Sequence, residues 1–175
     1  MPLINNTGNT VIANATAMFL AHYRDPAFLD IVRGHNHFKF TSDTSDVVAD
    51  NIANRPFEIR LITYIKLRSR AIAHTTKDTN GVTFISFNQA LINNTTPNLL
   101  EQRVETLMHE FLHAIGYRHF TNFNWFYNRK TVPYKVAELF VGYLKTNQHF
   151  PPPAPHSVLP PAPNPHSKAK KTIRV

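Results

Sequence analysis

One eleven-residue stretch concentrates the chemistry this sequence offers: His109-Glu110-Phe111-Leu112-His113-Ala114-Ile115-Gly116-Tyr117-Arg118-His119. On an α-helix, residues four apart lie about 40° apart around the axis and roughly one turn along it, so His109 and His113 project side by side and can share one ion. Glu110 is rotated by about 100° from His109, which sets its carboxylate beside a metal-bound water rather than in place of it, where a general base belongs. A third ligand three residues beyond Gly116 requires the chain to leave the helix and turn back. Glycine takes the left-handed backbone angles of such a turn without steric penalty. His119 then completes a set of three imidazoles with a fourth position open to water, as catalytic zinc requires. Zn2+ lowers the pKa of its water toward neutrality and polarises a carbonyl, while a nearby carboxylate passes the proton to a leaving amine. The predicted chemistry is peptide hydrolysis. Five fixed positions at this spacing arise by chance in fewer than about one in ten thousand chains of this length.

The segment resembles HExxHxxGxxH, the zinc-binding motif of the metzincin clan of metalloendopeptidases, with all five signature positions filled. The resemblance implies one catalytic Zn2+ on His109, His113 and His119, Glu110 as general base, and a protein or peptide substrate. It implies an α+β fold: a small twisted mixed sheet, an active-site helix and a C-terminal helix. It also implies an edge strand upstream of the motif helix that pairs antiparallel with substrate, a place held by Gly81 to Asn88. Metzincins carry a methionine in a tight turn beneath the metal. Here the methionines are Met1, Met18 and Met108, all before His109, so Thr131-Val132-Pro133-Tyr134 stands in that place, with Val132 or Pro133 as an apolar floor.

Some members of the clan have a tyrosine shortly after this turn that stabilises the oxyanion. The resemblance gives that role to Tyr134, with Tyr127 as second candidate; a tyrosine simply packing at a helix start accounts for Tyr134 equally well. Phe120, Phe123, Trp125, Phe126 and Tyr127 fall where the clan builds the pocket wall beyond the scissile bond. They imply a preference for an apolar residue there, or else fill core under a loop.

The elements that must position these residues follow from periodicity. Leu99, Leu100, Val104, Leu107, Met108, Phe111, Leu112 and Ile115 recur at helical spacing, which predicts a buried helix over Asn98 to Ile115. Asn98 with Glu101 reads as a capping box and Gly116 as the stop. A second helix is predicted from Pro133 or Tyr134 to about Asn147, with Val136, Leu139, Phe140, Tyr143 and Leu144 on one face. Phe57 to Leu67 and Val82 to Phe87 read as strands, with Asn80-Gly81 turning into the second. Ala15 to Arg24, Ala27 to Val32 and Ser45 to Asn54 read as short helices.

At 175 residues the chain suits one domain. Residues 1–150 are assigned to it. Residues 151–175, PPPAPHSVLPPAPNPHSKAKKTIRV, read as a proline-rich, disordered spacer with a basic end. Half of the +8 net charge sits there, on Lys168, Lys170, Lys171 and Arg174, so the tail is a candidate for docking on an anionic surface or partner. Without cysteine the chain has neither disulfides nor thiolate ligands. The N-terminus lacks the basic and apolar regions of a secretory signal, and no stretch approaches the ~20 apolar residues of a membrane span. A soluble monomer of open compartment is expected.

His35 and His37 could share a strand face and hold a second metal, but no acidic partner stands near them in sequence. Two other function classes remain. One is a catalytically inactive zinc-containing module that docks on an anionic polymer through its tail. The other is a nucleic-acid-binding protein, suggested by a pI near 9.9 but unsupported by any helix-turn-helix, finger or RNP pattern.

Overall fold

The protein is described from a computed structural model that covers residues 3–69, 71–92, 98–120 and 125–150, with backbone alone at 125–126. The proline-rich segment 151–175 lies outside the described residues. The order is β1 (Leu3–Asn5), α1 (Thr10–His22), α2 (Pro26–Arg33), α3 (Ser45–Asn54), β2 (Ile59–Tyr64), β3 (Ala73–Lys77), β4 (Thr83–Asn88), α4 (Gln89–Ile92), α5 (Leu99–Ala114), α6 (Trp125–Asn128) and α7 (Val132–Thr146). This is an α+β fold with one mixed sheet. Among the described residues no helix is long and apolar enough to cross a membrane.

Local chemistry sets the helix starts. Asn9 Oδ1 accepts from Val11 N and Ile12 N at 3.0 and 3.1 Å and opens α1. Asp25 Oδ1 accepts from Ala27 N at 2.9 Å, with Pro26 in the first turn of α2. Both supply acceptors for amide groups that have no partner within the helix. The first three predicted helices are present, α1 beginning earlier than expected at Thr10. The capping box at Asn98 does not form: its side chain makes no cap bond, and the Glu101 carboxylate instead pairs with Lys145 of α7. A tertiary cation outcompetes the local amide, and the pair ties the two long helices together.

The sheet order is β1-β2-β4-β3, with β1, β2 and β4 parallel and β3 antiparallel to β4. The expected edge strand over Gly81 to Asn88 is therefore corrected. Its residues from Thr83 onward form β4, which lies inside the sheet between β2 and β3. The edge belongs to β3, which hydrophobic patterning passes over because AHTTK is mostly polar. The hairpin between them turns at Asp78, whose Oδ1 accepts from Asn80 N and Val82 N at 2.9 and 2.8 Å, and at Gly81, whose φ is +80°. That angle is open to glycine and strained for other residues.

The core lies where α5 packs between α1, α7 and the sheet. Phe111 of α5 meets Phe19, Tyr23 and Phe57 edge-on, with centroids 5.1, 5.6 and 5.1 Å away. Val104, Leu107, Met108 and Leu112 are fully buried on the same helix. Arg103 is buried beside them, and its guanidinium donates to the Leu91 and Ile92 carbonyls at 2.7 and 3.0 Å, closing the end of α4. These contacts hold α5 rigid, with its motif face turned toward β3.

Candidate metal centre

Helix α5 ends at Ala114 and the chain reverses at Gly116, whose φ of +109° lies in the region that favours glycine. The amide of Tyr117 donates back to the Leu112 carbonyl at 2.9 Å, closing the turn. His119 is thereby returned to the face of α5 that carries His109 and His113. Ring centroids of His119 stand 5.5 Å from His109 and 4.9 Å from His113. One ligand atom from each histidine lies within 4.8 Å of the other two. The sequence-predicted trio is brought together, and by position alone the three can bind a metal ion.

Hydrogen bonds orient the rings. His113 Nδ1 donates to the Tyr117 carbonyl at 2.8 Å and His119 Nδ1 to the Phe120 carbonyl at 3.1 Å. The His109 ring bonds the backbone of Pro133, which has only a carbonyl to offer. Each imidazole therefore spends one N–H on main chain, and His109 and His113 turn their Nε2 lone pairs toward each other. His109 Nε2 and His113 Nε2 face each other at 3.1 Å. Two lone pairs at that distance repel unless a cation lies between them. Tetrahedral zinc with nitrogen ligands at ~2.05 Å spaces them roughly 3.3 Å apart, close to the separation of this pair. Burial, then the charges of the other two histidines, hold the His109 pKa down to about 3. Burial also lowers that of His113. Both rings are thus neutral and ready to coordinate.

Glu110 is 7% exposed and faces β3. The Thr75 hydroxyl sits 2.6 Å from Glu110 Oε2 and 2.9 Å from the Glu110 carbonyl oxygen. Burial pushes the carboxyl up from its ordinary value, and the Thr75 hydrogen bond opposes this. A buried carboxylate with a raised pKa is chemically able to exchange a proton near neutrality. A cleft of about 580 Å³ opens between β3 from Ala73 to Lys77 and the motif residues His109, Glu110, His113 and Gly116 to His119.

Tyr134, in the first turn of α7, stands edge-on to His109 with centroids 4.4 Å apart and 5.2 Å from His119. Burial, followed by the charge of Glu110, raises its pKa, so the phenol keeps its proton. Val132 and Pro133 are buried, and the Pro133 carbonyl meets the His109 ring.

Of the aromatic wall, Phe123 lies outside the described residues, and the side chains of Trp125 and Phe126 are not described. Phe120 and Tyr127 are exposed, and Phe120 packs on Phe40 at 4.4 Å. His35 and His37 belong to no described group of three metal-binding side chains.

Two features were invisible in the sequence. Thr75 belongs to a polar strand 35 residues away from the Glu110 carboxylate it touches. Tyr117, inside the motif at a position the spacing leaves free, is 7% exposed; its hydroxyl donates to Asp43 Oδ2 at 2.9 Å and accepts from Asn51 Nδ2 at 2.8 Å. This anchors the returning loop to α3. No local signal marks either contact.

The fold and site define an α+β chain with a three-histidine cluster spaced for one metal ion. Comparison with family models, curated proteins and solved structures finds no match, so the cluster's own geometry carries the functional reading.

Proposed function

We propose that the chain is a zinc-dependent metalloendopeptidase of metzincin type, acting on protein or peptide substrates. The observation that carries this reading is the convergence of His109, His113 and His119, one ligand atom of each within 4.8 Å of the other two, with a nitrogen of each ring engaged by a main-chain carbonyl. His109, His113 and His119 would hold the ion. When bound, zinc supplies an acidified water and a Lewis acid for the carbonyl under attack.

Glu110 takes the proton of the attacking water and delivers it to the leaving amine, with the Thr75 hydroxyl keeping the carboxylate aimed into the cleft. Tyr134 donates its phenol hydrogen toward the negative charge that develops on the carbonyl oxygen, a group buried enough to stay protonated. The edge of β3 offers main-chain partners along which an extended peptide lies antiparallel, crossing above the histidines.

Glu110→Gln separates catalysis from metal binding. The variant is expected to retain one zinc per chain and to lose chelator-sensitive peptide cleavage by 10²-fold or more, about the contribution of a general base. Unchanged turnover defeats the mechanism. Zinc retention with no cleavage by either protein would assign the site to a non-catalytic module instead.

A further inference from the structure

A second hollow, of about 520 Å³, lies apart from the histidine cluster between the chain that follows α2 and the start of α7. Its lining brings Lys39, Arg129, Lys130 and Lys135 together with His35 and His37, and the acid among the lining residues is Glu138. Glu138 is engaged by Lys135 at 3.2 Å. With Glu138 set against Lys135, and even without Arg129, Lys39 and Lys130 still give the concave surface a net positive charge, on a volume typical of ligand sites.

The backbone beneath these charges is tied down. Lys39 N donates to the Lys130 carbonyl at 2.8 Å, and Lys39 bridges Thr131 in parallel register. The Ser45 hydroxyl donates to the His35 carbonyl, and the His35 ring packs on buried Phe38 with centroids 4.6 Å apart. The repulsion among the cations is therefore held in place by the fold rather than relieved by loose loops. The His35 pKa is lowered, first by burial and then by the Lys135 charge, in keeping with that field.

We infer that this hollow is a binding site for a short acidic peptide segment, two or three carboxylates long. Charge complementarity selects an anion. The chain's own tail is unsuited, since Lys168, Lys170, Lys171 and Arg174 occur there without an acidic residue. A long polyanion such as nucleic acid needs a continuous basic track. The adjoining hollow interrupts one, because it shares Arg129 and Glu138 and adds Glu105 beside Tyr134. A compact cluster of carboxylates meets the cations without crossing that acidic border. The site goes beyond the hydrolytic reading and does not depend on it.

The test uses the full chain without added metal and a fluorescein-labelled hexaglutamate peptide, followed by fluorescence anisotropy at low ionic strength. Binding is expected and should fade as salt rises toward ~0.5 M. Lys39→Glu with Lys130→Glu should weaken it by about tenfold or more. Lys66→Glu with Arg68→Glu, an equal charge change at exposed positions elsewhere, should leave it within about twofold. The tail variant Lys168→Gln, Lys170→Gln, Lys171→Gln should bind as the parent does.

A matching hexaglutamine peptide and inorganic phosphate complete the arms. Binding of hexaglutamine, full competition by millimolar phosphate, equal losses in the two charge-reversal pairs, or loss in the tail variant each overturns the assignment. Circular dichroism of the Lys39/Lys130 pair confirms that it is folded. Should it not be, Lys39→Gln with Lys130→Gln replaces it, with the same loss expected. None of these readouts involves peptide cleavage.

Discussion

Replacing Tyr117 by Phe removes one oxygen atom from the turn that returns His119 to the helix. That oxygen donates to Asp43 Oδ2 at 2.9 Å and accepts from Asn51 Nδ2 at 2.8 Å. A hydrogen bond to a carboxylate contributes about 1.5–3 kcal/mol, and a neutral one about 0.5–1.5 kcal/mol. Asp43 and Asn51 are only half-buried, so water recovers part of both. The expected loss is therefore about 2–3 kcal/mol. For a domain of this size that corresponds to a fall in Tm of roughly 4–12 °C. The effect should extend to metal. The carbonyl of residue 117 accepts from His113 Nδ1 at 2.8 Å and sets the tautomer that presents Nε2. With its side-chain anchor gone, that carbonyl wanders, and zinc affinity should drop about 10- to 100-fold, as for other residues that orient ligands. Competitive titration against a chromophoric chelator reads the affinity, and a thermal melt of the metal-free protein reads the stability. A lowered Tm with undiminished zinc affinity would show that the anchor steadies the fold without positioning the ligand. No change in either refutes the energetic reasoning altogether.

Thr75→Val keeps the shape of the residue and deletes the hydroxyl 2.6 Å from the Glu110 carboxylate; cleavage should slow roughly tenfold or more with zinc content unchanged, and Thr75→Ser should restore it. Gly116→Ala forces a side chain onto a residue with φ +109°, so metal-free stability should fall by about 1–2 kcal/mol in urea denaturation. Tyr143 is hydrogen-bonded to Asp25, and burial first, then that bond, pushes its pKa up to about 12. A raised pKa favours the protonated folded form, so this contribution is whole below pH ~10 and is lost as pH rises from there toward 12. Between pH 9 and 11 the urea midpoint of Tyr143→Phe should decline less steeply than that of the parent.

Spacing made the histidine cluster legible because everything it needs is local. The rotation per residue of one helix pairs His109 with His113, and one glycine with positive φ returns His119. The same holds for α7, where Pro133 and a five-residue apolar face suffice. What escaped is long-range. Strand β3 carries a polar sequence and owes its conformation to pairing with β4, Thr75 opposite Ile85, so its own pattern could not announce it. Glu101 satisfied the capping-box pattern, yet Lys145 from another helix claimed its carboxylate. Asp43 reaches Tyr117 across 74 residues, and Thr75 reaches Glu110 across 35. A pattern within the chain shows which groups can act together. How firmly they are aimed depends on partners that the fold brings in from other elements. The substitutions that best distinguish a working site from a mere constellation are accordingly those at Thr75 and Tyr117: they leave His109, Glu110, His113, Gly116 and His119 in place and remove only their support.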